Sequence, residues 1–238
     1  MADTAQRLGP PMTRSILDLD LDLGHRDRSV VAAASPRSRV TLWFAAAGAL
    51  AYSSWPLAFF VNQSLAGSAL ASSFESHSEP FAWLFILLDC VAGLCIGIAC
   101  FRELRVHHWG ALIVTMLAYG AFGVATAVDA VVPLDCGSVS AQACAGRLWP
   151  ITPDDVLTGA AVFALFVAAV AVLVQTARRS RLRVSIALIL VGWSLLGVVV
   201  LASDTSGSLA AVCQYAFLTL TSVLSFLVAV GATRLTPA

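Results

Sequence analysis

The chain has 238 residues, of which 59% are apolar and only 12% charged, and its 14 basic and 14 acidic residues cancel to zero net charge. Soluble domains run at about 45–50% apolar and about 25% charged, so an ordinary soluble globule is excluded. With no net basic or acidic field, the composition gives no footing for nucleic-acid binding either.

Residues 1–40 read as a cytoplasmic N-terminal tail without a packed core. They carry the alternation Leu17-Asp18-Leu19-Asp20-Leu21-Asp22-Leu23, then Gly24, several arginines and Pro36. An acidic and apolar alternation can dock on a partner as a strand, but a solvated tail is the simpler reading. Met12 offers a second start within it.

A bilayer core takes about 20 consecutive apolar residues per helix. Six runs fit that length, at 41–62, 81–101, 109–131, 156–175, 184–202 and 209–230. Of all the charged residues only Asp89 and Asp129 fall inside them. The sequence therefore predicts an all-α membrane protein, a six-transmembrane-helix bundle over residues 41–234, with lipid as its solvent. The first run follows too long a preface to be a cleaved leader, and reads as a retained span. Trp55-Pro56 should bend it, because Pro removes a backbone donor.

Arginines set the orientation, since short loops rich in Arg stay cytoplasmic. Thirteen of the fourteen fall in the tail, the second and fourth connections and the C-terminal segment, and only Arg147 falls in the others. Both termini are thus expected on the cytoplasmic side of the plasma membrane, consistent with an even number of spans.

In the second span Asp89 lies about 12 Å deep at 1.5 Å per residue. A carboxylate there must be neutral, paired or hydrated. Gly93 and Gly97, at i+4 and i+8, mark a face where another helix can approach closely, so Asp89 is expected to face the bundle. Two roles fit: a proton, cation or substrate site, or a hydrogen-bonded lock between helices. Asp129, near the end of the third span, shares a face with Ala118, Phe122 and Ala125. Beyond it come Pro133, Asp135 and Cys136. The sixth span offers Gln214, with Thr221, Ser222 and Ser225 below it. Asp89, Asp129, Asp135 and Gln214 all belong to the outer half of the membrane and can share one polar pocket; a hydrogen-bonded packing layer is the alternative.

Cys136 and Cys144 fall in the third connection, on the oxidising side, where a disulfide is expected. Cys90, Cys95 and Cys100 do not align on a helix and, with Cys213, read as small apolar fillers. Glu75-x-His77-x-Glu79 in the first connection reads as solvated loop, and the adjacent His107 and His108 point about 100° apart. No metal site is expected. No phosphate-cradling loop, nucleophile elbow or Cys-x-x-Cys pair is present, so no cofactor is expected.

The stretch from Ser73 to Phe85, with Asp89-Cys90-Val91-Ala92-Gly93, resembles the bacterial integral membrane proteins grouped as domain of unknown function 998. So does Asp129-Ala130-Val131-Val132-Pro133-Leu134-Asp135-Cys136 with Cys144 beyond it. The resemblance spans roughly residues 40–234 and implies six spans in a bacterial cytoplasmic membrane, an acid after the first outer loop and a Gln near the start of the last span. Many relatives place His residues before the fourth span, where this chain has Trp149-Pro150-Ile151-Thr152-Pro153-Asp154-Asp155. Together these features favour a non-enzymatic membrane component that binds or passes a small or lipid-like ligand through an outer-half polar pocket. The alternative is a membrane-embedded lipid-modifying enzyme using Asp89, Asp129 and Asp135, a reading that lacks His residues and a nucleophile. The bilayer is the one partner the sequence names.

Overall fold

The computed structural model describes residues 36–61, 74–75, 79, 81–105, 110–132, 153–176, 180–202 and 208–235. They form α1 (Pro36–Tyr52), a 3-10 turn (Trp55–Leu57), α2 (Ala58–Val61), α3 (Ala82–Leu104), α4 (Gly110–Asp129), α5 (Pro153–Gln175), α6 (Arg181–Ala202) and α7 (Ser208–Leu235). Six helical stretches are long and apolar enough to cross a membrane: Arg39–Val61, Ala82–Leu104, Leu112–Asp129, Pro153–Gln175, Arg181–Val200 and Ala211–Leu235. The protein is an all-α, six-span membrane bundle. Large side chains such as Leu50, Leu94, Leu117, Val174, Leu195 and Val212 stand exposed on the outer faces. Apolar surface of that extent is at home in lipid and a liability in water.

The span boundaries follow local chemistry. Pro56 interrupts the first span: α1 stops at Tyr52, the chain passes through the 3-10 turn, and α2 resumes. α1 begins at Pro36, inside the stretch read above as tail. α5 begins three residues earlier than the apolar run, at Pro153 followed by Asp154 and Asp155. A helix that opens with Pro at its first position and acids in its first turn uses a pre-set φ and complements the helix dipole.

Neighbouring spans run antiparallel. The Gln175 amide donates to Thr115 Oγ1 at 3.1 Å at one end of the α4–α5 seam, and the Thr158 hydroxyl donates to Asp129 Oδ2 at 2.7 Å at the other. α3 and α4 cross at Gly93 and Gly123. A Cβ built on Gly93 would collide with the Gly123 carbonyl and lie 2.7 Å from Ala127 Cβ, so only glycine permits this approach. Gly97, expected on the same packing face, meets nothing within 4 Å, so the close approach of the neighbouring helix falls at Gly93 and not at Gly97. α6 and α7 form a hairpin in which Trp193 Nε1 donates to Thr221 Oγ1 at 2.8 Å and the Trp193 ring stacks on Phe217. Thr221 and Ser222 also donate to the Phe217 and Leu218 carbonyls, satisfying hydroxyls that lipid cannot.

The register places Arg39, Arg102, Arg105, Arg181, Arg183 and Arg234 at the end of the bundle that carries the described termini. At that end the buried Thr41 hydroxyl donates to Glu103 Oε1 at 2.7 Å. Tyr119 and Ser225 hydroxyls pair at 2.9 Å nearer the middle.

The expected disulfide gains no support. The described cysteines Cys90, Cys95, Cys100 and Cys213 are free thiols, and Cys136 and Cys144 lie outside the described residues, as does Asp135.

Candidate functional site

The end of the bundle opposite the described termini gathers acids from four chain segments, and packing explains how. On α3, Phe85 and Asp89 are one turn apart and share a face. Phe74 is buried against Phe85, with ring centroids 5.4 Å apart and 29° between the planes. Docking that ring fixes the backbone of the next residue, Glu75, beside the next turn of α3, where Asp89 stands. The Glu75 and Asp89 carboxyls hydrogen-bond to each other. Such a bond requires one proton between the two, because a pair of carboxylates has no hydrogen to share and repels. Burial pushes the Glu75 carboxyl well above its ordinary range; the charge and hydrogen bond of Asp89, then the charges of Asp129 and Asp154, push the same way.

A small second core holds this arrangement. Ala58, Phe74, Phe85, Ala211 and Tyr215 are buried together, and Trp55 stacks on Tyr215 at 4.7 Å with 8° between the planes. The break at Pro56 is what turns the indole out of the α1 helix and onto α7. Tyr52, the last residue before the break, lies within electrostatic reach of Asp89, Asp129 and Glu75.

A second acid pair sits on the α4–α5 seam. Asp154 and Thr158 share a face of α5 at i and i+4. Thr158 donates to Asp129 Oδ2, and the Asp154 carboxyl hydrogen-bonds to Asp129. Asp129 Oδ1 is buried with no N–H or hydroxyl donor on it. Asp155 adds a further charge to this group.

Asp89 and Asp129, both singled out from the sequence, thus lie within electrostatic reach of each other. Gln214 is partly buried on α7, next to Tyr215 of the small core. The sequence reading passed over Glu75, Asp154, Thr158 and Tyr52. A signal for Glu75 was available in Phe74, a lone aromatic within a run of serines, which has little reason to be there unless it docks. The signal for Asp154 was the Pro-Asp-Asp helix opening.

An open groove of about 540 Å³ runs along one face of α3, lined by Glu79, Ala82, Trp83, Ile86, Leu87 and Cys90. Trp83 and Leu87 are 63% and 51% exposed, so the groove opens sideways, toward lipid. Neither Glu75 nor Asp89 lines it. Among the described residues no group of three or more His, Cys, Asp or Glu is placed to hold a metal ion.

No family model, curated protein or solved structure matches this chain.

Proposed function

We propose that the protein is a non-enzymatic component of a bacterial cytoplasmic membrane, of the kind its motifs resemble, that binds a lipid-like ligand with an ammonium head group. In this reading the acidic end of the bundle faces outward and both termini face the cytoplasm, an orientation that the arginine distribution supports. One observation carries the reading: the laterally open, largely apolar groove along α3 carries one carboxyl, that of Glu79. An acyl chain lies along Trp83 and Leu87, and its ammonium group pairs with the Glu79 carboxylate. A volume of this size matches ligand sites of about 300–1,000 Å³.

The test is lipid retention. The full chain is reconstituted in nanodiscs containing equal parts of phosphatidylethanolamine and phosphatidylglycerol, released into detergent, and analysed by native mass spectrometry. Phosphatidylethanolamine should be retained selectively, and Glu79→Gln should abolish the selectivity. Equal retention of the two lipids, or selectivity unchanged in Glu79→Gln, would overturn the reading.

A further inference from the structure

One stripe of α4 runs Thr115, Tyr119, Phe122, Thr126, Asp129, at spacings of four and three, buried at the first four positions and half-buried at Asp129, and is polar at four of five positions. Three of those polar residues meet other helices: Thr115 meets Gln175, Tyr119 meets Ser225, and Asp129 meets Thr158 and Asp154. Thr126 breaks the pattern. It is only 4% exposed, and its Oγ1 has no hydrogen-bond partner, not even the carbonyl one turn back that Thr221 and Ser222 use on α7. At 100° per residue Thr126 stands about 20° around the helix from Thr115, which meets α5, and about 20° the other way from Tyr119, which meets α7, and it lies one turn from Asp129, which meets α5. It therefore sits on the side of α4 that α5 and α7 cover, one turn below the Asp129–Asp154 pair. Asp129 Oδ1 lacks an N–H or hydroxyl donor as well. Two buried oxygens without donors a turn apart are rare in folded proteins, and a bound cation satisfies such a pair.

We propose that Thr126 Oγ1, Asp129 Oδ1 and the Asp154 carboxyl bind a monovalent cation of the sodium class, which displaces the proton shared by Asp129 and Asp154. The donor set is all oxygen, the set hard cations take. Charge selects the valence. The protonated pair carries one net negative charge, and two carboxylates with one monovalent ion carry the same, so the exchange leaves the buried charge unchanged. A divalent ion would change it by one unit. Carboxylate oxygens of high field strength favour sodium over the larger potassium. Thr158 Oγ1, already on Asp129 Oδ2, can turn a lone pair toward the ion. The site rests on the α4–α5 seam alone and stands or falls independently of the lipid groove.

The experiment measures thermal unfolding of the full chain in detergent, in sodium, potassium or N-methylglucamine chloride at equal ionic strength, at about pH 8 and about pH 5.5. Asp155 on α5, Asp89 on α3, Glu75 and Tyr52 face the pair from the surrounding segments and are kept intact throughout. Sodium should stabilise the protein selectively at the higher pH, with the apparent affinity falling as protons compete. Thr126→Val, which keeps the shape and removes one ligand, should weaken sodium binding about tenfold while leaving the sodium-free protein at least as stable. Asp129→Asn should abolish the response. Equal effects of the three cations, or a sodium response unchanged in Thr126→Val, would overturn the site and leave the seam holding water only. Glu79→Gln should leave the sodium response in place, which separates this result from the lipid test.

Discussion

The crossing of α3 over α4 makes the sharpest stability prediction. In Gly93→Ala the new Cβ would lie 2.7 Å from Ala127 Cβ and 2.9 Å from Ala127 N, and would collide with the Gly123 carbonyl. Ordinary carbon contacts are about 3.5–4.0 Å, so the two helices must part by about 1 Å at this point. Neither side can give cheaply, because the obstacles are backbone atoms and a methyl group fixed to the backbone. Overpacking of that kind costs about 1–3 kcal/mol, and the rigidity of the obstacle puts Gly93→Ala at about 2–3 kcal/mol. Gly97→Ala is the control. Its Cβ meets nothing within 4 Å, and alanine is the better helix former by up to about 1 kcal/mol, so it should be neutral or stabilising. Reversible unfolding of the purified protein by SDS in mixed micelles reads both variants. A difference between them of less than about 0.5 kcal/mol, the ordinary scatter of surface substitutions, would refute the crossing geometry.

Glu75 predicts a pH dependence of known sign. Its carboxyl is pushed above the ordinary range in the folded state, so the folded protein binds the extra proton, and stability is full below the ordinary carboxylate pKa and lost as pH rises through the raised value. Thermal unfolding between about pH 4 and about pH 9 should show that fall, with a smaller slope in Glu75→Gln; an unchanged slope would refute the assignment. At the opposite end, Thr41→Val removes the 2.7 Å hydrogen bond to the buried Glu103 and should destabilise by about 1–3 kcal/mol in the same SDS assay. A cost near zero there would mean that the bond does not hold the two helices together.

The sequence was most informative where one helix could be read alone. Apolar length located every span, and Pro56 marked the break in the first, because both are local properties of the backbone and its solvent. The face of Asp129 was legible too, since a helical wheel needs only the 3.6-residue period. Cross-helix choices were not legible. Gly93 and Gly97 marked a face where another helix can approach, but that the close approach falls at Gly93 and not at Gly97, and that Gly123, thirty residues on, makes it, could not be read from one helix. Glu75 looked like loop because its charge and its serine neighbours are those of solvated chain. What buries it is the docking of Phe74 on Phe85, a contact visible only once α3 exists. Asp154 and Asp155 looked like connection for a similar reason: the apolar run starts after them, while the hydrogen-bonded helix starts before them.

These separate details act as one unit at the acidic end. Lone carboxylates at the edge of a bilayer are costly, and two routes reduce the cost: sharing a proton, or borrowing a cation. Each acid pair here spans two chain segments, Glu75 with Asp89 and Asp129 with Asp154, so each proton or cation held is also a tie between segments. The pairs are linked through Asp89 and Asp129, which interact electrostatically from α3 and α4. The Gly93–Gly123 crossing, one turn below Asp89, fixes how far apart those two helices stand. A monovalent cation that replaces the proton shared by Asp129 and Asp154 leaves that pair's charge unchanged and so should not disturb the Glu75–Asp89 pair, whereas losing either shared proton adds a charge that the other pair feels, and by reciprocity each loss disfavours the other by the same factor.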